Sequence, residues 1–266
     1  MAENEKKTVP SVEGMEAHID TWRGLIKNKQ RGIFAFDELV EIKLKALKKR
    51  IYTDFENTAP WKMRECIYKD IGDYEYLYDG WKDLDVGGYW GGNGLSSFFK
   101  NKITIPERFD GKKVTLYVYF GGDSLVSVNG VPFQGLDPFR NAVVLTDCAK
   151  AGDTYDIDIE SYFVWHSNES SLKKLECSFI ATTDDEINEI YWDLKAVYNA
   201  LFMPGMGNDY ATLIRESLKE AFQYVDFDEP DFDVFKAKLR MCKKVLYDRV
   251  YNNPNYKCMG KLDLIG

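Results

Sequence analysis

Histidine is almost missing from this chain: His18 and His166 are the only two among 266 residues. Metal-dependent or histidine-relay chemistry therefore has very few groups to draw on. Cysteine is sparse as well. Cys66, Cys148, Cys177, Cys242 and Cys258 are odd in number and widely spaced, without a C-x-x-C pair. That pattern argues against a disulfide framework or zinc knuckle and predicts reduced, mostly buried thiols. Positive charge is in deficit, with 35 Lys and Arg against 43 Asp and Glu for a net charge of -8, and no basic stripe interleaves with aromatic residues. A phosphate backbone would be repelled, which excludes nucleic acid as a partner. Long apolar runs are missing too: Met1 to Thr8 is polar and no later run reaches the length of a membrane span. No membrane association is expected, and a cytoplasmic location follows.

What the chain does hold is aromatic side chains. Tyr, Phe and Trp make up 15% of it, within a hydrophobic share of 45%. Such a content excludes global disorder and favours β-structure with a sizeable core, in one large domain or a sandwich plus a helical subdomain. Apolar residues at Val12, Met15, Ile19, Trp22 and Ile26 fall at helical spacing, and so do Leu39, Val40, Leu44, Leu47 and Ile51. Tyr52 to Trp61 then reads as a Pro-containing connector.

From about Glu65 to Ala181 short β-branched and aromatic runs alternate with Gly, Asn, Asp and Pro. Val114 to Phe120, turned by Gly121-Gly122-Asp123 into Leu125 to Val128, reads as a hairpin. Thr154 to Ser161 sets Tyr155, Ile157 and Ile159 on one face and Asp156, Asp158 and Glu160 on the other. Adding Phe98 to Ile105, Ala142 to Leu145 and Leu172 to Ala181 suggests a jelly-roll-like sandwich, with an open two-layer sheet as the alternative.

Thr183-Asp184-Asp185-Glu186 reads as a capping box. It opens a helix with the stripe Ile187, Ile190, Tyr191, Leu194, Val197, Tyr198 and Leu201, stopping at Pro204-Gly205. Two further helices follow, one carrying Leu213, Ile214, Leu218, Ala221, Phe222 and Val225. The other follows Pro230 with Phe232, Phe235, Leu239, Cys242, Leu246 and Val250, and the three form an antiparallel unit. The expected organisation is a helical segment at 1–61, a sandwich at 62–182, three helices at 183–253, and at 254–266 a strand that enters a further domain. The fold class is thus mainly β with flanking helices.

Several segments carry chemistry-bearing residues. Gly87 to Gly94 is glycine-rich but has neither phosphate-loop spacing. It is a turn built around Trp90, or a small-molecule contact. Asn129-Gly130 is a tight-turn dipeptide followed by a polar loop. Its sharper reading makes Asn129, Gln134, Asp137 and Arg140 planar hydrogen-bonding groups for sugar hydroxyls, with Trp90 or Tyr89 as the stacking surface. The plainer reading is a hairpin turn.

Asp226 to Asp233 lacks the glycine and terminal glutamate of a calcium loop, so a helix connector with Asp231 as N-cap is expected. Asp156, Asp158 and Glu160 suit an exposed strand face. His18-Ile19-Asp20 uses metal-ligand vocabulary, but no third ligand accompanies it on its amphipathic helix. His166 sits in a loop between strands. No catalytic set and no metal set emerges from these spacings.

Read in order, Trp81, Gly88-Tyr89-Trp90-Gly91-Gly92, Ser97-Phe98-Phe99-Lys100, Ile103-Thr104-Ile105-Pro106, Gly111-Lys112, Val128-Asn129-Gly130, Gln134-Gly135-Leu136-Asp137 and Tyr155-Asp156-Ile157 form a series. It resembles the N-terminal region of cytosolic-type α-mannosidases of glycoside hydrolase family 38, across most of Gly80 to Gly266. The resemblance implies a galactose-binding-like jelly roll followed by helices, with a catalytic domain after them. Tyr256 to Gly266 looks like the lead-in strand to that domain's zinc-binding motif.

Catalytic residues and the zinc cofactor would therefore lie outside this chain, and His18-Ile19-Asp20 would be a coincidental echo. Pro138-Phe139-Arg140 departs from the family loop, where members often carry a histidine. The implied role is to pack on the parent's own catalytic domain, help shape its active-site rim or homo-oligomer contacts, and touch mannose-containing glycans. A carbohydrate-binding module and a stand-alone interaction protein are the alternatives.

Overall fold

The structure, a computed structural model, describes residues 34–92, 94–137, 140–162, 172–203 and 207–254. The expected helix from Val12 to Lys29, both histidines, Pro138-Phe139, the Pro204-Gly205 stop and the expected strand at Tyr256 to Ile265 lie outside these residues. The chain divides into two compact units, the first containing Thr53–Thr183, the second containing Gln30–Tyr52 and Asp184–Gly266.

The strands are β1 (Tyr52–Asn57), β2 (Trp61–Asp70), β3 (Asp73–Tyr76), β4 (Lys82–Leu84), β5 (Tyr89–Trp90), β6 (Leu95–Thr104), β7 (Val114–Tyr119), β8 (Asp123–Val128), β9 (Val131–Leu136), β10 (Ala142–Thr146), β11 (Thr154–Tyr162), β12 (Lys173–Lys174) and β13 (Cys177–Thr183). They build a jelly-roll sandwich. Seven strands form one sheet in the order β3-β2-β6-β11-β8-β9, with β4 also paired to β2, and four form the other in the order β1-β13-β7-β10.

Aromatic packing fills the space between the sheets. Phe99 stacks on Phe120 at 3.8 Å, Trp61 meets Phe120 edge-on at 5.3 Å, and Trp90 meets Phe99 edge-on at 5.3 Å. Each indole N–H also finds an acceptor: Trp61 donates to Ser178 Oγ and Trp90 to the Phe120 carbonyl, both at 2.6 Å. A large aromatic ring can be buried this way without stranding its polar end.

Three expectations about this unit change. Tyr52 to Asn57 is a strand, not a connector: Thr53 Oγ1 lies 2.7 Å from Thr182 Oγ1, and Phe55 packs edge-on against Phe179. Val114 to Phe120 and Leu125 to Val128 are no hairpin, because β7 belongs to the four-stranded sheet and β8 to the seven-stranded one. Gly121-Gly122 is a crossover between sheets. Gly121 has φ +82°, and a Cβ on Gly122 would lie 3.0 Å from the Tyr162 carbonyl and 3.2 Å from the Trp90 ring. Leu172 to Ala181 is likewise interrupted, with β12 pairing β5 and β13 pairing β7.

The second unit holds α1 (Phe34–Ile51), α2 (Asp185–Ala200), α3 (Asn208–Ala221) and α4 (Phe232–Leu246), the last continued by a π-helical turn, Tyr247–Tyr251. Helix α1 is not a solitary segment. Val40, Leu44, Leu47 and Ile51 join Ile187, Leu194, Ile214, Leu218, Phe235 and Leu239 in one core, so four helices share what was expected of three.

The capping of α2 also differs from the expected box. Asp184 is the N-cap, accepting from Ile187 N at 3.0 Å, while Thr183 ends β13. Glu186 turns away to Arg240, at 2.5 and 2.8 Å, since a bidentate guanidinium outcompetes a single backbone donor. Asp231 caps α4 as expected, accepting from Asp233 N and Val234 N. Among the described residues no helix is long and apolar enough to cross a membrane.

Candidate functional site

The residues singled out in the sequence for sugar contact are not gathered into one site. Trp90 is 2% exposed, with its indole N–H committed to Phe120, so it is a core residue and offers no stacking face. Neighbouring Tyr89 is 59% exposed. Asn129 occupies the β8–β9 turn at φ +52°, followed by Gly130 at +77°. Its Oδ1 accepts from Asp156 N at 2.9 Å, so the side chain extends the β11 ladder.

Gln134 donates to the Ala142 carbonyl at 3.0 Å. Asp137 and Arg140 close on each other: the carboxylate takes Arg140 N at 2.8 Å and Arg140 Nε at 2.9 Å. Asn129 and Asp137 stand at opposite ends of β9, roughly 20 Å apart at 3.4 Å per residue. Polar turn residues that satisfy their own backbone look the same in sequence as a binding constellation.

The carboxylates of β11 are likewise partly committed. Asp158 pairs with Lys100 at 3.1 Å and Asp156 with Lys102 at 3.8 Å, both across the β6–β11 ladder. In the helical unit Lys238 joins Asp226 at 3.2 Å and Glu229 at 2.7 Å. Among the described residues no three His, Cys, Asp or Glu side chains converge as a metal would require.

Strand register does gather a different set. Across β2, β6, β11 and β8 it aligns Arg64, Phe98, Glu160 and Leu125 in one row, since Arg64 pairs with Phe98, Phe98 with Glu160, and Glu160 with Leu125. Directly paired residues share a face, so these four side chains project to the same side of the sheet. The row below is Lys62, Lys100, Asp158 and Ser127 by the same registers. At the β3 edge, pairing of Cys66 with Tyr76 and of Tyr68 with Tyr74 adds three tyrosines to that side.

The rings interlock there. Tyr74 packs edge-on against Phe98 at 4.9 Å and against Tyr68 at 5.8 Å. The Arg64 guanidinium lies 3.5 Å from the centre of the Tyr76 ring, a cation–π contact. Tyr76 nevertheless remains 40% exposed, and Tyr68, Trp81, Leu125 and Tyr162 are exposed as well. Cys66 is buried on this side, its thiol donating to the Ser96 carbonyl at 3.6 Å.

Two groups on this face stand out electrostatically. Arg64 Nε is buried without a hydrogen-bond partner, and no ion pair holds this guanidinium among the described residues. Glu160 receives one weak hydrogen bond, from the Tyr74 hydroxyl at 3.4 Å. Burial, and then the Glu160 carboxylate, push the Tyr74 hydroxyl above its ordinary value, so it stays a donor at neutral pH. Burial foremost also raises the Cys66 thiol. The β2 alternation Lys62, Arg64, Cys66, Tyr68 is visible in the sequence. The pairing of β2 with β6, and of β6 with the distant β11, is not.

Comparison with known proteins supplies the family. A family model described as the jelly roll domain of α-mannosidase matches residues 59–193, just over half of the chain. No curated protein matches. Among solved structures, a calcium-binding mutant of Bacteroides uniformis β-glucuronidase 2 aligns at 10% identity and TM-score 0.36, covering 48% of this chain and 18% of that one. Ruminococcus gnavus β-glucuronidase aligns at 12% and 0.34, covering 49% and 29%. A Dictyoglomus thermophilum β-D-glucuronidase gives 14% and 0.30, covering 49% and 28%. This chain spans less than a third of each of these proteins, and at such scores the likeness carries nothing about ligand or activity.

Proposed function

Because the chain belongs to the family of α-mannosidase jelly roll domains, we propose that it is a non-catalytic accessory region of a retaining, zinc-dependent α-mannosidase. In this reading it packs on the parent enzyme's catalytic domain and supports the active-site rim or contacts between subunits. The family match over residues 59–193 carries the reading. Retaining glycoside hydrolysis needs two closely placed carboxyl groups, and zinc assistance needs several converging ligands. The carboxylates of β11 instead form a ladder with the β6 lysines or meet a tyrosine hydroxyl.

A cytoplasmic setting suits the four described cysteines, Cys66, Cys148, Cys177 and Cys242, all of which are free thiols. The test is an assay of the purified chain on an aryl α-mannoside with added zinc. No turnover above the protein-free rate is expected. Zinc-dependent hydrolysis that saturates with substrate would overturn the proposal.

A further inference from the structure

Strand β9 closes one edge of the seven-stranded sheet with little burial to hold it. Of its six residues only Leu136 is buried, while Val131 and Phe133 stand 65% and 53% exposed. Its ladder to β8 skips Phe133, since Val126 pairs with Gln134 and Ser127 with Pro132, and Pro132 has no N–H to donate.

Apolar packing therefore contributes little, and polar groups hold the strand. Asn129 fastens the turn before it: its N–H donates to the Asp156 carbonyl at 2.7 Å, and its Oδ1 accepts from Asp156 N at 2.9 Å. Gln134 straps the strand to the Ala142 carbonyl on β10, in the other sheet, at 3.0 Å. Asp137 and Arg140 pin the far end with reciprocal backbone bonds at 3.0 and 3.1 Å.

We propose that Asn129 is a deamidation site kept closed by this clamp, so that opening of the β8–β9 hairpin becomes irreversible there. The Gly130 backbone nitrogen, losing its proton to solvent base, attacks Asn129 Cγ. A C–N bond forms, the Cγ–Nδ2 bond breaks, and the side-chain nitrogen leaves as ammonia. Water then opens the cyclic imide at either carbonyl, giving aspartate or an isoaspartate whose side-chain carbonyl carries the main chain. Residue 130 is a reactive partner because glycine has no Cβ to shield its nitrogen, and both residues are exposed.

The folded turn opposes ring closure in two ways. Asn129 and Gly130 have φ +52° and +77°, the two-residue hairpin conformation in which ψ of the first central residue is roughly +30°. That angle directs the Gly130 nitrogen away from the Asn129 side chain. The bond from Asp156 N meanwhile holds Oδ1, and Cγ with it, against β11. Both restraints vanish when the hairpin opens. An isoaspartate then lengthens the main chain by one atom, which a two-residue turn cannot absorb while keeping Val128 opposite Val131.

The test incubates the whole chain in mildly alkaline buffer, folded and in urea. Peptide mapping follows the amide-to-acid mass change at Asn129, resolved from Asn93-Gly94, the other Asn-Gly pair. Conversion is expected in urea, with a folded rate about a hundredfold lower because it tracks the small open population. Gln134→Ala should raise the folded rate about fivefold, the worth of one hydrogen bond in the opening equilibrium, and leave the urea rate unchanged. Chains modified to isoaspartate and returned to buffer should lack hydrogen-exchange protection across β9.

Equal rates in buffer and urea would overturn the proposal, and so would an Asn129 that stays intact in urea. A folded rate that Gln134→Ala leaves untouched would remove the clamp, and full protection of β9 after modification would remove the irreversibility.

Discussion

Trp90 shows how a residue can carry a binding signature in sequence and a structural role in the fold. It stands in a glycine-rich loop beside exposed Tyr89, yet its ring packs on Phe99 and its N–H is bonded to the Phe120 carbonyl. Gly122 must lack a side chain for that ring to fit, since its Cβ would lie 3.2 Å from it. Trp90→Phe should therefore lower stability by about 2–4 kcal/mol, from a cavity and a buried carbonyl left without its donor. Urea unfolding measures that loss. Cys242 makes a parallel case: it lies in the helical core, where burial pushes its thiol up to about 12, so it is a packing residue.

At the scale of elements, the start of α2 is held by α4 through charge. Lys236 reaches Asp184 at 2.8 Å and Glu186 at 3.1 Å, and Arg240 grips Glu186 with two nitrogens. A negative N-cap and first turn also oppose the positive end of the helix dipole. Hydrogen bonding to Arg240, the larger influence, and then to Lys236 lowers the Glu186 carboxyl from 4.5 to about 2.

The folded value is the depressed one, so the stabilisation is complete above pH 4.5 and fades as pH falls towards 2. Melting curves between pH 6 and 2 should thus converge for the natural chain and Glu186→Gln: the natural chain melts higher at pH 6, and the gap closes on acidification. A gap that persists at pH 2 would contradict the ion-pair origin. The capping motif was legible as a helix start, but the choice of Asp184 over Thr183 was made by β13 and α4.

At the scale of the whole molecule, the helical unit is assembled from both sides of the sandwich in sequence. Helix α1 contributes Val40, Leu44, Leu47 and Ile51 to a core otherwise made by α2, α3 and α4. Burying four aliphatic side chains is worth on the order of 6–12 kcal/mol, comparable to the whole stability of a domain. A chain beginning at Thr53 should therefore lose the cooperative unfolding of α2 to α4 and bind a hydrophobic dye through them. Calorimetry and dye fluorescence check this, and an unaltered helical transition would refute it.

The sequence by itself determined the local elements, because helix and strand periodicities, Asn129-Gly130 and Asp231 act through near neighbours. It also determined the sandwich class, and the ordered motif series marked the family. Only the tertiary structure decided which strands pair. That choice depends on closing loops across scores of residues and on the shape of a shared aromatic core, neither of which leaves a short-range pattern. It separated β7 from β8, drew α1 into the distant helices, put Trp90 inside, and aligned Arg64, Phe98 and Glu160 in one row beneath Tyr74.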